Sequence, residues 1–146
     1  MNDSQQTNWG PQPAGVLALG IGGFVMAIAC VMLVTDTPGR VLTGVAAVGL
    51  LVFATISWRS RPKLAITDSG LAVRGPLGVT TLPKSAIAHI RITEFRRLGR
   101  RSRMLEIDTT DDRLRVFTRW DLGTDPLTVL DALIAAGYAA PRIPPR

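Results

Sequence analysis

AGVLALGIGGFVMAIACVMLVT, Ala14 to Thr35, runs for 22 residues without a charged side chain, and VLTGVAAVGLLVFATISW, Val41 to Trp58, for another 18. A helix needs about 20 mainly apolar residues to cross the hydrocarbon core of a bilayer, with about 17–25 tolerated. The two runs therefore predict membrane-spanning helices over 14–35 and 41–58. Only DTPGR, Asp36 to Arg40, separates them. Pro38 and Gly39 predict a turn there, and so short a linker makes the helices antiparallel neighbours. A soluble core is a poor alternative, because the remaining chain is needed for a core of its own. The leading segment MNDSQQTNWGPQP has no Lys or Arg. It lacks the positive region of a cleaved signal peptide and is read as a disordered tail, 1–13.

Charge divides the chain at the same place. Residues 1–58 carry only Asp3, Asp36 and Arg40, whereas residues 59–146 carry 16 basic and nine acidic side chains. Arg59, Arg61 and Lys63 directly follow the second run, and the positive-inside rule places both termini in the cytoplasm. Neither run contains Asp, Glu, Lys, Arg or His, which argues against a proton relay or ion path. Gly15, Gly20, Gly22, Gly23, Gly44 and Gly49 permit close helix packing, within the hairpin first and in a homo-oligomer second. The single cysteine, Cys30, excludes an intrachain disulfide and lies mid-span, where a thiolate nucleophile is disfavoured.

The second half reads as strands between turns. KLAIT and LAVRG flank DSG, Asp68 to Gly70, which suits a three-residue bulged hairpin loop. PLG, Pro76 to Gly78, is the next turn, ahead of VTTL. PKSAIAHI, Pro83 to Ile90, suggests a helical turn leading into a strand through Phe95. MLEIDTT places Leu105 and Ile107 on one face, and RLRVFTRW places Leu114, Val116, Thr118 and Trp120 on one face. The period then changes. Asp125 can cap a helix beginning at Pro126, Gly137 can close it, and Leu127, Leu130, Leu133 and Ile134 form its apolar stripe. PRIPPR cannot continue a helix, so 139–146 is read as a Pro-rich tail.

A two-span hairpin (14–58) followed by LAITDSGLAVRG, LPKSAIAHIRI, LEIDTTDDRLRVF and VLDALIAAGY resembles the bacterial membrane proteins with a PH-like domain, of the low-molecular-weight protein antigen 6 type. The resemblance implies a PH-like domain over 59–138, α+β or all-β, with an antiparallel bent sheet or barrel closed by a C-terminal helix. It implies a binding role rather than an enzyme, and a place at the inner membrane of a bacterial cell. It does not extend to the basic first hairpin loop of phosphoinositide-binding PH domains, since that loop here is DSG, with only Lys63 and Arg74 nearby.

The most basic stretch is FRRLGRRSR, Phe95 to Arg103. A basic side chain near an anionic leaflet gains about 1 kcal/mol, decaying within a Debye length. The few residues between Trp58 and the first strand hold the domain against the headgroups. The candidate contacts with anionic lipid headgroups, or with an acidic partner, are therefore Arg59, Arg61, Lys63, Arg96, Arg97, Arg100, Arg101 and Arg103. A solvated loop is an equally weighted reading. Membrane or cytoplasmic protein partners come next, including a membrane complex that takes this chain as an accessory subunit. Nucleic acid ranks last, because Phe95 is the only aromatic near the loop. His89 reads as a strand or turn residue, Glu106 and Asp108 as partners of Arg113 or Arg115 across a hairpin, and no metal or cofactor is expected.

Overall fold

The computed structural model describes residues 7–75 and 77–140, and of Arg97 only the backbone. Residues 1–6 and 141–146, parts of the two expected tails, lie outside the described residues, as does Pro76. The chain forms two compact units, Pro11–Arg61 and a second made of the segment before it together with Pro62–Arg146.

The first unit is an antiparallel pair of helices, α1 (Pro13–Met32) and α2 (Thr37–Arg59). At 1.5 Å per residue they are about 30 and 35 Å long. The linker is displaced from the expected DTPGR. Asp36 is the N-cap of α2, its Oδ2 accepting from the Gly39 N–H at 2.7 Å, and Pro38 sits within the first turn. Proline at a helix start lacks only an N–H that would be orphaned anyway, so this proline begins a helix instead of breaking one. Arg40 Nε donates to the Val34 carbonyl at 2.7 Å and helps satisfy the end of α1. The helices meet at Gly23, where an added Cβ would lie 3.0 Å from Leu51 Cγ and 3.2 Å from Leu50 Cβ. Ala47 and Ala54 are buried, whereas Gly22 and Gly49 face open space. Both helices are long and apolar enough to cross a membrane, yet only 11% and 17% of their apolar windows are buried. That is an apolar surface directed outward, as in a membrane-associated chain and unlike a soluble core helix.

The second unit has two antiparallel sheets. One holds β1 (Asn8–Trp9), β2 (Leu64–Thr67), β3 (Gly70–Gly75) and β4 (Gly78–Leu82), in that order. The other holds β5 (Ile87–Arg97), β6 (Arg100–Thr109) and β7 (Leu114–Thr118). A 3₁₀ turn, Lys84–Ala86, joins them, and α3 (Arg119–Leu122) and α4 (Pro126–Ala135) follow. Leu64, Leu71, Leu105, Ile107, Leu122, Val129 and Leu133 belong to one core shared by both sheets and both helices. Asp125 caps α4 by accepting from the Leu127 N–H at 2.9 Å, and Gly137, at φ 81°, reverses the chain behind it.

Several expectations are corrected. The bent sheet or barrel is absent: the sheets are open, neither closed nor curled, and among the described residues no ladder joins β4 to β5 or β1 to β7. Pro83 has no N–H to continue the β4 ladder, and the 3₁₀ turn moves the chain to the other sheet. Part of the expected N-terminal tail is a strand, since Asn8 pairs with Ala65 and Trp9 with Leu64, and Trp9 is 1% exposed in the core. The turn after β2 is two residues, Asp68–Ser69, because Thr67 pairs with Gly70. A Cβ on Gly70 would come 2.5 Å from the Leu82 carbonyl oxygen, so glycine is needed for close strand approach rather than for a bulge. β7 turns its other face inward: Phe117 is buried while Leu114 and Val116 are exposed. Its neighbour explains this, as Leu105 lies directly opposite Phe117 and carries it to the core face. Trp120 leaves the strand for α3, where Thr118 and Asp121 form a capping box. In α4, Val129 takes the core place expected of Leu127.

Trp9→Ala should destabilise the β unit by about 3–5 kcal/mol, the range for truncating a large buried aromatic. Urea unfolding of a soluble version, with a short Gly-Ser loop replacing residues 11–61, measures this. In the helical pair, Gly23→Leu should lower the melting temperature in detergent clearly, whereas Gly22→Leu, facing open space, should leave it within a few degrees.

Candidate functional site

FRRLGRRSR is a β-hairpin and not a flexible loop. β5 and β6 pair as far as Arg97↔Arg100, leaving only Leu98 and Gly99 in the turn. Both have positive φ, 49° and 76°, as a type I′ turn requires. Asn-Gly is the favoured pair there, while a leucine in left-handed backbone is strained by roughly 1–2 kcal/mol. β7 pairs with β6 only from Met104 onward. The four pairs beyond it, Glu94↔Arg103, Phe95↔Ser102, Arg96↔Arg101 and Arg97↔Arg100, therefore form a two-stranded arm roughly 13 Å long.

The base of this arm is tied down. Arg103 Nε donates to Glu94 Oε1 at 2.6 Å, and Arg103 Nη1 lies 3.4 Å from Asp125 Oδ2 at the start of α4. The Arg103 hydrogen bond holds the Glu94 carboxyl below its usual range, and the charges of Arg103, Arg101 and Arg96 add to this. Two residues further out, Arg96 faces Arg101 directly across the ladder, and like charges so placed repel. No acidic side chain among the described residues pairs with Arg96, Arg100 or Arg101, and all three are exposed. Glu94, Phe95, Arg96 and Arg101 line a recess of about 450 Å³. Strand alternation puts Arg100 on the opposite face from Arg101, so the arm is cationic on both sides. At its end Leu98 is 98% exposed.

The eight predicted contacts thus divide. Arg96, Arg100 and Arg101 share the outer arm, while Arg103 is engaged at its base. The side chain of Arg97 lies outside the described residues. Arg59 is exposed in the last turn of α2, where a cation suits the helix dipole. The Arg61 guanidinium lies 5.6 Å from the centre of the Trp58 ring. Lys63 is paired with Asp121. Burial opposes ionisation of Asp121, but the Lys63 hydrogen bond and those from the Thr118 N–H and hydroxyl outweigh it and hold the carboxyl below its usual range.

Glu106 and Asp108 pair with Arg91 instead of Arg113 or Arg115, at 2.7 and 3.8 Å, because β6 is the central strand and Arg91 lies opposite Glu106 on β5. His89 is an exposed strand residue. Sequence reading missed Leu98 and the base pair Glu94–Arg103. The available signal was Leu-Gly centred between two arginine pairs, an X-Gly dipeptide at the midpoint of a near-palindrome.

Residues 61–139 match the family model described as bacterial PH domain, which is more than half of the chain. The chain belongs to the bacterial PH domain family. It is also 62% identical over 135 residues to an uncharacterized protein of Mycobacterium tuberculosis, found in strains CDC 1551 / Oshkosh and ATCC 25618 / H37Rv. That similarity covers 92% of this chain and 96% of the relative, so it includes the helical pair and the arm. No solved structure matches the chain. The PH domain family is non-catalytic, and the site is read accordingly as a binding surface.

Asp121 gives a pH signature. A carboxylate with a depressed folded pKa stabilises the fold above its unfolded value of about 3.9, and this contribution is lost as pH falls through the folded value. Asp121→Asn in the loop-replaced protein should cost about 1–2 kcal/mol at pH 7 through the lost cap and ion pair. Urea midpoints between pH 5 and pH 2 should fall less steeply for the variant than for the parent.

Proposed function

We propose that this protein is a membrane-anchored binding module: the helical pair spans the bacterial inner membrane, and the PH domain works at the cytoplasmic surface, where its arginine arm contacts anionic headgroups. The observation that carries this reading is the exposed Arg96–Arg101 cross-strand pair near the end of the arm, where among the described residues no acidic side chain forms an ion pair with either arginine and no third strand pairs with the arm. Repulsion of this kind is relieved by an external anion, and an anionic leaflet supplies many. The β1–β2 pairing favours the assigned topology, because strands on either side of the hairpin must emerge on one side of the membrane. Arg59 in the last turn of the second helix, with Arg61 and Lys63 just beyond it, favours the cytoplasmic side. The exposed ring of Trp58 suits the interfacial belt. A remaining face of the domain is then available to a protein partner.

A second reading makes the chain an accessory subunit recognised through its hairpin. It is favoured by an open groove of about 540 Å³ along α1 and α2, lined by Val16, Gly20, Ile21, Phe24, Leu51 and Ala54. Apolar grooves with small residues admit close packing of another helix, from a second copy or from another protein.

Flotation of the loop-replaced protein with liposomes separates the readings. Binding to vesicles containing phosphatidylglycerol should exceed binding to phosphatidylcholine alone and fall with salt. Replacing Arg96, Arg100 and Arg101 with Gln should weaken it roughly tenfold to a hundredfold, at about 1 kcal/mol per cation. Equal recovery on neutral and anionic vesicles at every salt concentration would remove the headgroup reading and leave the hairpin as the recognition element.

A further inference from the structure

We propose that the arm tip inserts into the membrane: Leu98 enters the interfacial region of an anionic leaflet while Arg96, Arg100 and Arg101 hold phosphates around it. This rests on the headgroup reading above and deepens it, assigning the same arm an apolar contact as well as a charged one.

The turn itself is the first argument. A two-residue turn with positive φ at both positions is best served by Asn-Gly, and Leu98 at φ 49° is a poor choice for folding. Its side chain contributes nothing to the core, since it is 98% exposed at the end of the hairpin. A strained residue with no structural return is where a functional contact is to be sought. Phe95, 49% exposed on the same arm, extends the apolar surface back from the tip.

The surroundings choose the partner. Exposure alone does not, because Leu77 at the β3–β4 turn is equally exposed. Leu77 stands in RGPLGVTT, with Arg74 as its only neighbouring cation, whereas Leu98 stands in RRLGRR. On the arm, cations lie on both faces, one and two residue pairs behind the tip, which is roughly 3–7 Å at strand spacing. A bilayer presents the same sequence of layers, phosphates outside and acyl chains about 5–10 Å deeper. An acidic protein surface would match the arginines but leave the leucine needing a pocket at one fixed depth. The leaflet needs no such pocket.

The test uses the full chain in vesicles, with Cys30→Ser removing the native thiol and Ser102→Cys carrying an environment-sensitive fluorophore on the arm. Ser102 is exposed and opposite Phe95, so the probe leaves the tip intact. Lipids bearing a spin label at the headgroup–acyl boundary report proximity by quenching. Insertion predicts several-fold stronger quenching in vesicles with 30% phosphatidylglycerol than in phosphatidylcholine alone. It further predicts that Leu98→Asn, which suits the turn and preserves the arginines, abolishes most of that difference, while Leu77→Asn does not. Quenching that survives Leu98→Asn but disappears when Arg96, Arg100 and Arg101 become Gln would overturn insertion and keep the headgroup reading. Absence of quenching with the native arm in every lipid would overturn both.

Discussion

Pairing of Asn8 and Trp9 with Ala65 and Leu64 ties together parts of the chain that the helical pair holds some fifty residues apart. Two backbone segments can share a ladder only if both reach it, so the chain that leaves at Gly10 must return at Pro62 to the same neighbourhood. The helices between them must then form a complete hairpin. Trp9 makes the tie durable, because its whole side chain is removed from water in a core otherwise built from residues beyond position 62. Strand pairing would therefore put both ends of the hairpin on one side of any bilayer that its helices cross.

The open sheets have a related consequence. Since neither sheet closes on itself, β5 and β6 are free to run past β7, and among the described residues no third strand pairs with the extension. Two-stranded hairpins are marginal by themselves, and this one carries a like-charged pair near its end. Its stability is borrowed from the base, where Arg103 bridges Glu94 and the cap of α4. An arm built this way carries more cations than its one acid, Glu94, which is engaged by Arg103, can pair. Lys63, Arg91 and Arg103 each have an acidic partner within the fold, while Arg96, Arg100 and Arg101 have none among the described residues. The division between structural and available charge follows from reach.

Much of this was legible in the chain. Long uncharged runs, the Asp125-Pro126 start of α4 and its Gly137 end are local signals, and local signals suffice where one element decides its own conformation. The failures came where a neighbour decides. Leu114 and Val116 alternate as well as Arg115 and Phe117, and only the partner strand tells which set faces inward. Thr118 and Asp121 carried a capping box that a continuing apolar alternation concealed. Asn8 and Trp9 are too short a segment for any period, so their strand exists only because β2 has an edge to accept it.

By itself the sequence determined the partition into an apolar pair of helices and a basic β-rich unit, because hydropathy and charge are sums over residues and need no coordinates. It also determined which stretch is most cationic. Tertiary structure alone decided that the sheets stay open, that Trp9 belongs to the second unit, and that the arginine-rich stretch becomes an arm whose base is engaged by Arg103 while Arg96, Arg100 and Arg101 have no ion-pair partner among the described residues. Those outcomes depend on which groups lie opposite one another. Cross-strand register sets that, and no local property of the chain encodes it.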